Sequence, residues 1–200
     1  MTEKEWAKLV CDAFQKIVDW FEPQTDGASG KAHLVVNEGF RLAYALEVKS
    51  YPPGPGASPD GNDIRTMEFQ TDLLITEVAQ DGSWKPRVVI ELKLGEPTTH
   101  DAITYSQKAT THKSVHPYLR YGILIGSVDA LSGRFFRHGQ NFDFMVSWKS
   151  GEPTAKEHGS ITTLLEEEVN ASRTMEKILF DTRSQKRSRY SIFRRKLDLG

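Results

Sequence analysis

The chain has 200 residues, with 26 Lys and Arg against 27 Asp and Glu, a net charge of −1 and 38% hydrophobic residues. That suffices for one domain, or one domain with an appendage, and no stretch approaches the roughly 20 apolar residues of a membrane-spanning helix. A single cysteine, Cys11, excludes an internal disulfide framework and a cysteine zinc site, and the charged start Met1-Thr2-Glu3-Lys4-Glu5 lacks an apolar signal region, so the expectation is a cytoplasmic protein without membrane contact.

Residues 3–21 predict an amphipathic helix: Trp6, Leu9, Val10, Ala13, Phe14, Ile17, Val18 and Phe21 recur at i, i+3, i+4, and Cys11 falls in the pattern as a small buried residue. Residues 31–36 and 41–51 read as strands joined by a turn at Asn37-Glu38-Gly39. Tyr51 to Asn62 is a long Pro- and Gly-rich loop, either a surface excursion or a segment that reaches a bound duplex. Thr66–Val78 and Lys85–Leu94 are strand-like runs around Gln80-Asp81-Gly82-Ser83, and Asp-Gly is a strong hairpin signal. Thr98 is a helix N-cap with Asp101 three residues on, and a helix from about Thr99 to Ser114 follows. Tyr121–Val128 reads as a buried strand, so strand, helix and strand form a parallel crossover. Residues 134–148 are expected to add strands, with Phe142, Phe144 and Val146 alternating. Residues 160–180 read as a second long helix, with Leu164, Leu165, Val169, Met175, Ile178 and Leu179 mostly on one face.

The hairpin carries the chemistry. If Asp81-Gly82 is the turn, Asp72 falls directly opposite Glu91, and opposed residues share one sheet face with Cβ atoms roughly 5 Å apart. Lys93 lies on that face one step along. Opposed like charges destabilise a sheet, so such a pair must raise a pKa or hold a cation. A hard ion such as Mg²⁺ accepts one or two carboxylates and keeps several waters. The lysine adds positive charge that orients the attacking water or stabilises charge developing on a phosphate oxygen. The pattern points to metal-assisted phosphodiester hydrolysis.

Thr71-Asp72 and Glu91-Leu92-Lys93 on consecutive strands, followed by a helix and a strand, resemble the PD-(D/E)XK nuclease superfamily over roughly residues 40–128. Thr71 stands where that family usually has proline. The resemblance implies a restriction-endonuclease-like α/β core, a mixed central sheet flanked by the first helix and the Thr99–Ser114 helix. It also implies Asp72 and Glu91 as ligands of Mg²⁺, with Mn²⁺ as substitute, and Lys93 as the residue that positions or activates water. On the helix after Lys93 a polar residue, Gln107 or Lys108, would point at the site; an exposed helix face is the plain alternative. Glu68 and Gln70 share the face of Asp72 by alternation, Glu68 as an extra metal group or, more simply, a solvated strand end.

Two other patterns compete. Glu47-Val48-Lys49 is a second E-x-K triplet, read as a solvated strand face. His112 and His116 stand at i, i+4, a spacing that can bind metal, but without an evident third ligand they read as a helix-surface pair. Residues 182–197 hold Arg183, Lys186, Arg187, Arg189, Arg194, Arg195 and Lys196 and no acid, on an otherwise acidic chain. That suggests phosphate contacts from Lys186, Arg187, Arg189, Arg194 and Arg195, a solubilising tail or part of a dimer interface. The expectation is one nuclease domain over residues 1–200, a Mg²⁺-dependent DNA endonuclease of type II restriction kind. It acts on double-stranded DNA as a homodimer, since one active site per chain needs a two-fold mate to cut both strands. The alternatives are a structure-selective repair, recombination or phage-defence nuclease, a noncatalytic nucleic-acid-binding module, and a protein-interaction domain.

Overall fold

The structure is a computed structural model that describes residues 2–22, 32–149 and 153–180. The basic segment 182–197, with Lys186, Arg187, Arg189, Arg194 and Arg195, lies outside the described residues. Helix α1 (Glu3–Phe21) opens with a capping box: the Thr2 side chain accepts the Glu5 N–H, and the Glu5 carboxylate accepts the Thr2 N–H at 2.7 Å. Its inward stripe is Trp6, Val10, Phe14, Ile17 and Val18, as the periodicity predicts. Strand β1 (His33–Glu38) ends at Gly39, whose φ of +67° turns the chain out of the main sheet.

Strands β2 (Arg41–Val48) and β3 (Ile64–Gln70) then pair only with each other, as a two-stranded antiparallel arm. The chain returns through Thr71-Asp72 into β4 (Leu73–Val78). Outgoing and incoming segments are tied where they cross: Thr71 donates its N–H and its hydroxyl to the Phe40 carbonyl, both at 2.9 Å, and the Gly39 N–H reaches the Asp72 carbonyl at 3.1 Å. The Thr66–Val78 run, expected as a single strand, is therefore two strands in two sheets. The reason is environment: β3 is largely exposed, whereas Leu73 to Thr76 of β4 are buried on both faces. Glu68 and Gln70 belong to the arm and are exposed, rather than flanking Asp72.

Strand β5 (Trp84–Leu94), helix α2 (Thr99–Val115) and strand β6 (Arg120–Gly126) form the expected parallel crossover, with the Thr98–Asp101 capping box in place. Helix α3 (Gly133–His138), strand β7 (Phe144–Ser147) and helix α4 (Ala155–Phe180) complete the order. The main sheet runs β1-β4-β5-β6-β7, antiparallel from β1 to β5 and parallel from β5 to β7. It is the expected mixed α/β sheet flanked by helices. One face packs on α1 and α4 through Leu73, Ile75, Val88, Ile90 and Leu92; the other packs on α2 and α3 through Leu74, Val89, Tyr121, Ile123 and Ile125. Among the described residues no helix is long and apolar enough to cross a membrane.

Two expectations are corrected. Residues 134–148 begin with a helix, α3, because Phe135 and Phe142 both serve the α2-side core. In α4, Leu165 and Val169 are buried as expected and Ile161 joins them, but Ile178 and Leu179 are 49% and 47% exposed. From Glu168 on the helix turns polar side chains inward: Glu168 meets Arg120 at 2.5 Å, Arg173 meets Glu22 at 2.8 Å and Glu77 at 2.6 Å, and Glu176 meets Arg87 at 2.6 Å.

The β4–β5 hairpin also departs from the simplest reading. Ala79 N–H bonds the Ser83 carbonyl at 2.8 Å, which closes a three-residue loop, Gln80 to Gly82, with Gly82 at φ +80°. The pairing starts as Val78 with Trp84, one residue out of the expected register. A bulge then absorbs the surplus: Thr76 pairs with Pro86, but Ile75 pairs with Val88, leaving Arg87 as the extra residue. From there Leu74 pairs with Val89 and Leu73 with Ile90, the register that sets Asp72 beside Glu91. The Arg87 side chain is almost wholly buried between Glu77 and Glu176 and lies over the Tyr118 ring. Arg87→Met should therefore leave two acids short of their cation and lower stability by about 3–5 kcal/mol. Lys85→Ala, removing a 56% exposed partner of the same Glu176, should change it by about 1 kcal/mol or less. Urea denaturation of the two variants checks the contrast.

Candidate functional site

Strand β5 buries an unbroken run from Pro86 to Leu92, and Glu91 is the one acid in it, 1% exposed. An isolated buried carboxylate is costly, so its surroundings must explain it. Because β4 begins only at Leu73, Asp72 is free to use its side chain where a ladder bond would stand: its Oδ2 accepts the Leu92 N–H at 2.8 Å. This brings the Asp72 carboxylate close enough for its charge to act on Glu91. The juxtaposition expected from the hairpin is present, at the end of the sheet where β5 and β6 finish.

Two further elements reach Glu91. From β6, the Tyr121 hydroxyl donates a short hydrogen bond to Oε1. From α2, Lys108 Nζ lies 3.6 Å from the same oxygen. Lys108 is itself steadied by aromatic rings, over Tyr105 at 5.1 Å and over Phe69 of the arm at 5.9 Å. Burial, and then the neighbouring Asp72 charge, push the Glu91 carboxyl up to about 7, against the pull of Lys108 and Tyr121. Burial and the Glu91 charge hold the Tyr121 hydroxyl far above its ordinary value, so it stays a donor. Tyr105 is raised for the same reasons.

Lys93 is on the same strand but engaged elsewhere. Its ammonium lies 3.5 Å from Glu3 Oε1, at the start of α1. The cation paired with Glu91 is thus Lys108 rather than the expected Lys93. Of the two candidates on α2, Gln107 is exposed and Lys108 faces the site. Glu47 pairs across to Arg65 in the arm, and Glu47 and Lys49 are both exposed, in keeping with a solvated strand face.

The histidine pair is not on the surface. His112 is fully buried, its Nδ1 2.9 Å from the Ala43 carbonyl, and its ring stacks on Tyr121 at 5.7 Å. Burial depresses both histidines, so they are neutral and structural at ordinary pH. Sequence reading missed Tyr121 as a site residue by counting it only as core. The signal was there: a buried tyrosine hydroxyl needs a partner, and in a parallel register with β5 its ring stands on the face of Glu91.

Among the described residues no group of three or more His, Cys, Asp and Glu gathers as a metal site. An ion here would rest on two carboxylates, a count that hydrated Mg²⁺ accepts. Asp72 and Glu91 are hard oxygen donors acting on each other, each with one oxygen engaged by a strand, Oδ2 by the Leu92 N–H and Oε1 by the Tyr121 hydroxyl, so the pair fits such an ion. No protein-family model matches the chain, and no curated protein sequence matches it.

The raised Glu91 has a measurable consequence. Its folded value near 7 exceeds the unfolded value of 4.5, so the folded state holds the proton more tightly. The stabilisation is complete below the unfolded value and is lost as pH rises through the folded one, by about 3 kcal/mol. With chelator present, the wild type should lose stability between about pH 5 and about pH 8. Glu91→Gln, which cannot ionise, should lose markedly less. Equal losses in urea titrations would show that Glu91 does not titrate in this window.

Proposed function

We propose that the chain is a Mg²⁺-dependent endonuclease that hydrolyses DNA phosphodiesters, with a PD-(D/E)XK arrangement of its site. The observation that carries this is Glu91: an acid buried in a central strand, beside a second acid, Asp72, and with Lys108 of a separate element alongside. Structural use alone gives no reason to oppose two carboxylates. The reading also draws support from the order of elements, in which the consecutive strands β4 and β5 lead through α2 into the parallel strand β6, the order on which the resemblance rests.

Asp72 and Glu91 would hold the ion. Bound there, Mg²⁺ supplies an acidified water and charge neutralisation at the phosphate. The chain's own residues do the rest. Asp72, anchored on the Leu92 N–H, keeps its second oxygen directed along the site. Lys93 exchanges Glu3 for a phosphate oxygen and stabilises charge developing there. Lys108 balances the charge of Glu91. Cleavage of both strands of a duplex calls for a homodimer, and the basic residues from Lys186 to Arg195 supply phosphate contacts.

Incubation of the protein with plasmid and Mg²⁺ or Mn²⁺ tests this. Discrete bands indicate sequence-specific restriction; nicking or smearing indicates a nuclease that selects DNA structure; untouched DNA refutes the enzyme and leaves a binding module. Asp72→Ala and Glu91→Ala should abolish cutting while the fold is retained by circular dichroism. Lys93→Ala should still bind DNA but cut about 10² times more slowly, the scale of one lost electrostatic contact. Lys49→Ala should cut at close to the wild-type rate. Single-turnover rates that reverse the two lysines would mean that the wrong triplet was chosen.

A further inference from the structure

We infer that Tyr121 is a positioning residue that gives the two oxygens of Glu91 different tasks, tying Oε1 to β6 and leaving Oε2 for a hard divalent cation shared with Asp72. The inference rests on the metal-site reading above and extends it to a residue outside the D…E-x-K set.

The hydroxyl can do this because nothing in Tyr121 is free to move. The residue is fully buried. Its ring stacks against His112 at 5.7 Å on one side of the core and Phe142 at 6.4 Å on another. His112 is fixed in turn by the Ala43 carbonyl. The backbone is clamped by one residue: the Tyr121 N–H donates to the Asp143 carboxylate at 2.8 Å, and the Tyr121 carbonyl accepts the Asp143 N–H at 2.8 Å. Asp143 is held by Arg120 at 3.1 Å and Lys113 at 2.7 Å. The hydroxyl oxygen is therefore at a set point in space, and the short bond places Oε1 of Glu91 at another.

Asp72 shows the same division of labour. Its Oδ2 is spent on the Leu92 N–H. Each carboxylate thus has one oxygen hydrogen-bonded to a strand of the main sheet, which sets the carboxylate before an ion arrives. A glutamate ordinarily turns freely about its last torsion; here that freedom is removed in advance. Lys108, at 3.6 Å, contributes charge to Oε1 but is too far for a hydrogen bond. Among the described residues, Tyr121 is the hydrogen-bond donor that orients Oε1.

The test reads ion binding rather than cleavage. Thermal shift and calorimetric titrations with Mg²⁺, without nucleic acid, give the midpoint for the wild type and for Tyr121→Phe. The Phe ring keeps both stacking contacts, and the midpoint should rise about 10- to 100-fold, the usual effect of deleting a group that orients a metal ligand. Tyr118→Phe, which alters a ring packed on Arg87 at the other end of the hairpin, should leave the midpoint essentially unchanged. A merely structural role for Tyr121 predicts a lower melting temperature at every Mg²⁺ concentration with the same midpoint, and that result overturns the inference while the metal site stands. A wild type that does not respond to Mg²⁺ at all overturns the metal-site reading and this inference with it. Should Tyr121→Phe not fold, the wild type still decides by NMR of isotope-labelled tyrosine. The Tyr121 ring carbon bearing the hydroxyl should keep its hydrogen-bonded shift as Mg²⁺ is added. A move to the free-phenol position, with the ion taking Oε1 in its place, overturns it.

Discussion

The arrangement around Glu91 depends on a single extra residue in β5. A strand alternates its side chains with a period of two, so a one-residue error in register moves every one of them to the opposite face. The hairpin loop is one residue longer than the shortest that Asp81-Gly82 allows, and uncorrected it would put Glu91 out of step with Asp72. The bulge at Arg87 removes the error. It is not left to the backbone to maintain: the bulged residue is an arginine, buried between Glu77 of the paired strand and Glu176 of α4. Slipping the register would pull that guanidinium from two acids at once, leaving buried charges unpaired. The ion-pair cluster at one end of the hairpin thereby fixes which carboxylates meet at the other.

The two ends use charge in opposite ways. At the Arg87 end acids and bases pair, and Arg87 together with the other basic residues holds Glu77 and Glu176 below the usual carboxylate range despite burial. At the Glu91 end two acids meet, one lysine stands alongside, and burial dominates, so Glu91 is raised. A protein selected for stability alone has the means to neutralise such an acid, as it does a few residues earlier on the same strand. That contrast within one hairpin is the physical reason to treat the Asp72–Glu91 end as a site.

How far the sequence revealed this varies with the kind of signal. The α1 stripe from Trp6 to Val18 and the Thr98–Asp101 cap were legible because they are local: each rests on spacings of three and four within one helix. The Asp72–Glu91 pairing was legible because one turn separates the strands, although the route to it, a longer loop with a compensating bulge, was not. The split of Thr66–Val78 between two sheets was hidden because alternation continues through Thr71-Asp72 while the partner strand changes. The burial of His112 was hidden because it depends on the β2–β3 arm, whose Ala43 carbonyl comes from a distant part of the chain. Ile178 and Leu179 misled for the converse reason: they have the composition of a core, but Arg173 and Glu176 take the inward face of α4 there.

The relation of Lys93 to Lys108 follows from the same geometry. Strand alternation puts Lys93 on the face of Glu91, yet its long stem leaves the sheet end, where the start of α1 offers Glu3. Helix starts favour acids because of the positive end of the helix dipole, so the acid that recruits Lys93 is there for reasons of helix stability. Its partner Glu3 is half-exposed, so the ion pair is a weak hold in solvent. Lys108 has the opposite character: two rings and a buried acid confine it. One lysine is fixed and balances the buried charge permanently, and the other is loosely held at the rim. Only the second can change partners when a phosphate arrives without exposing a buried carboxylate, which gives the proposed site a resting charge balance and a mobile cation in separate residues.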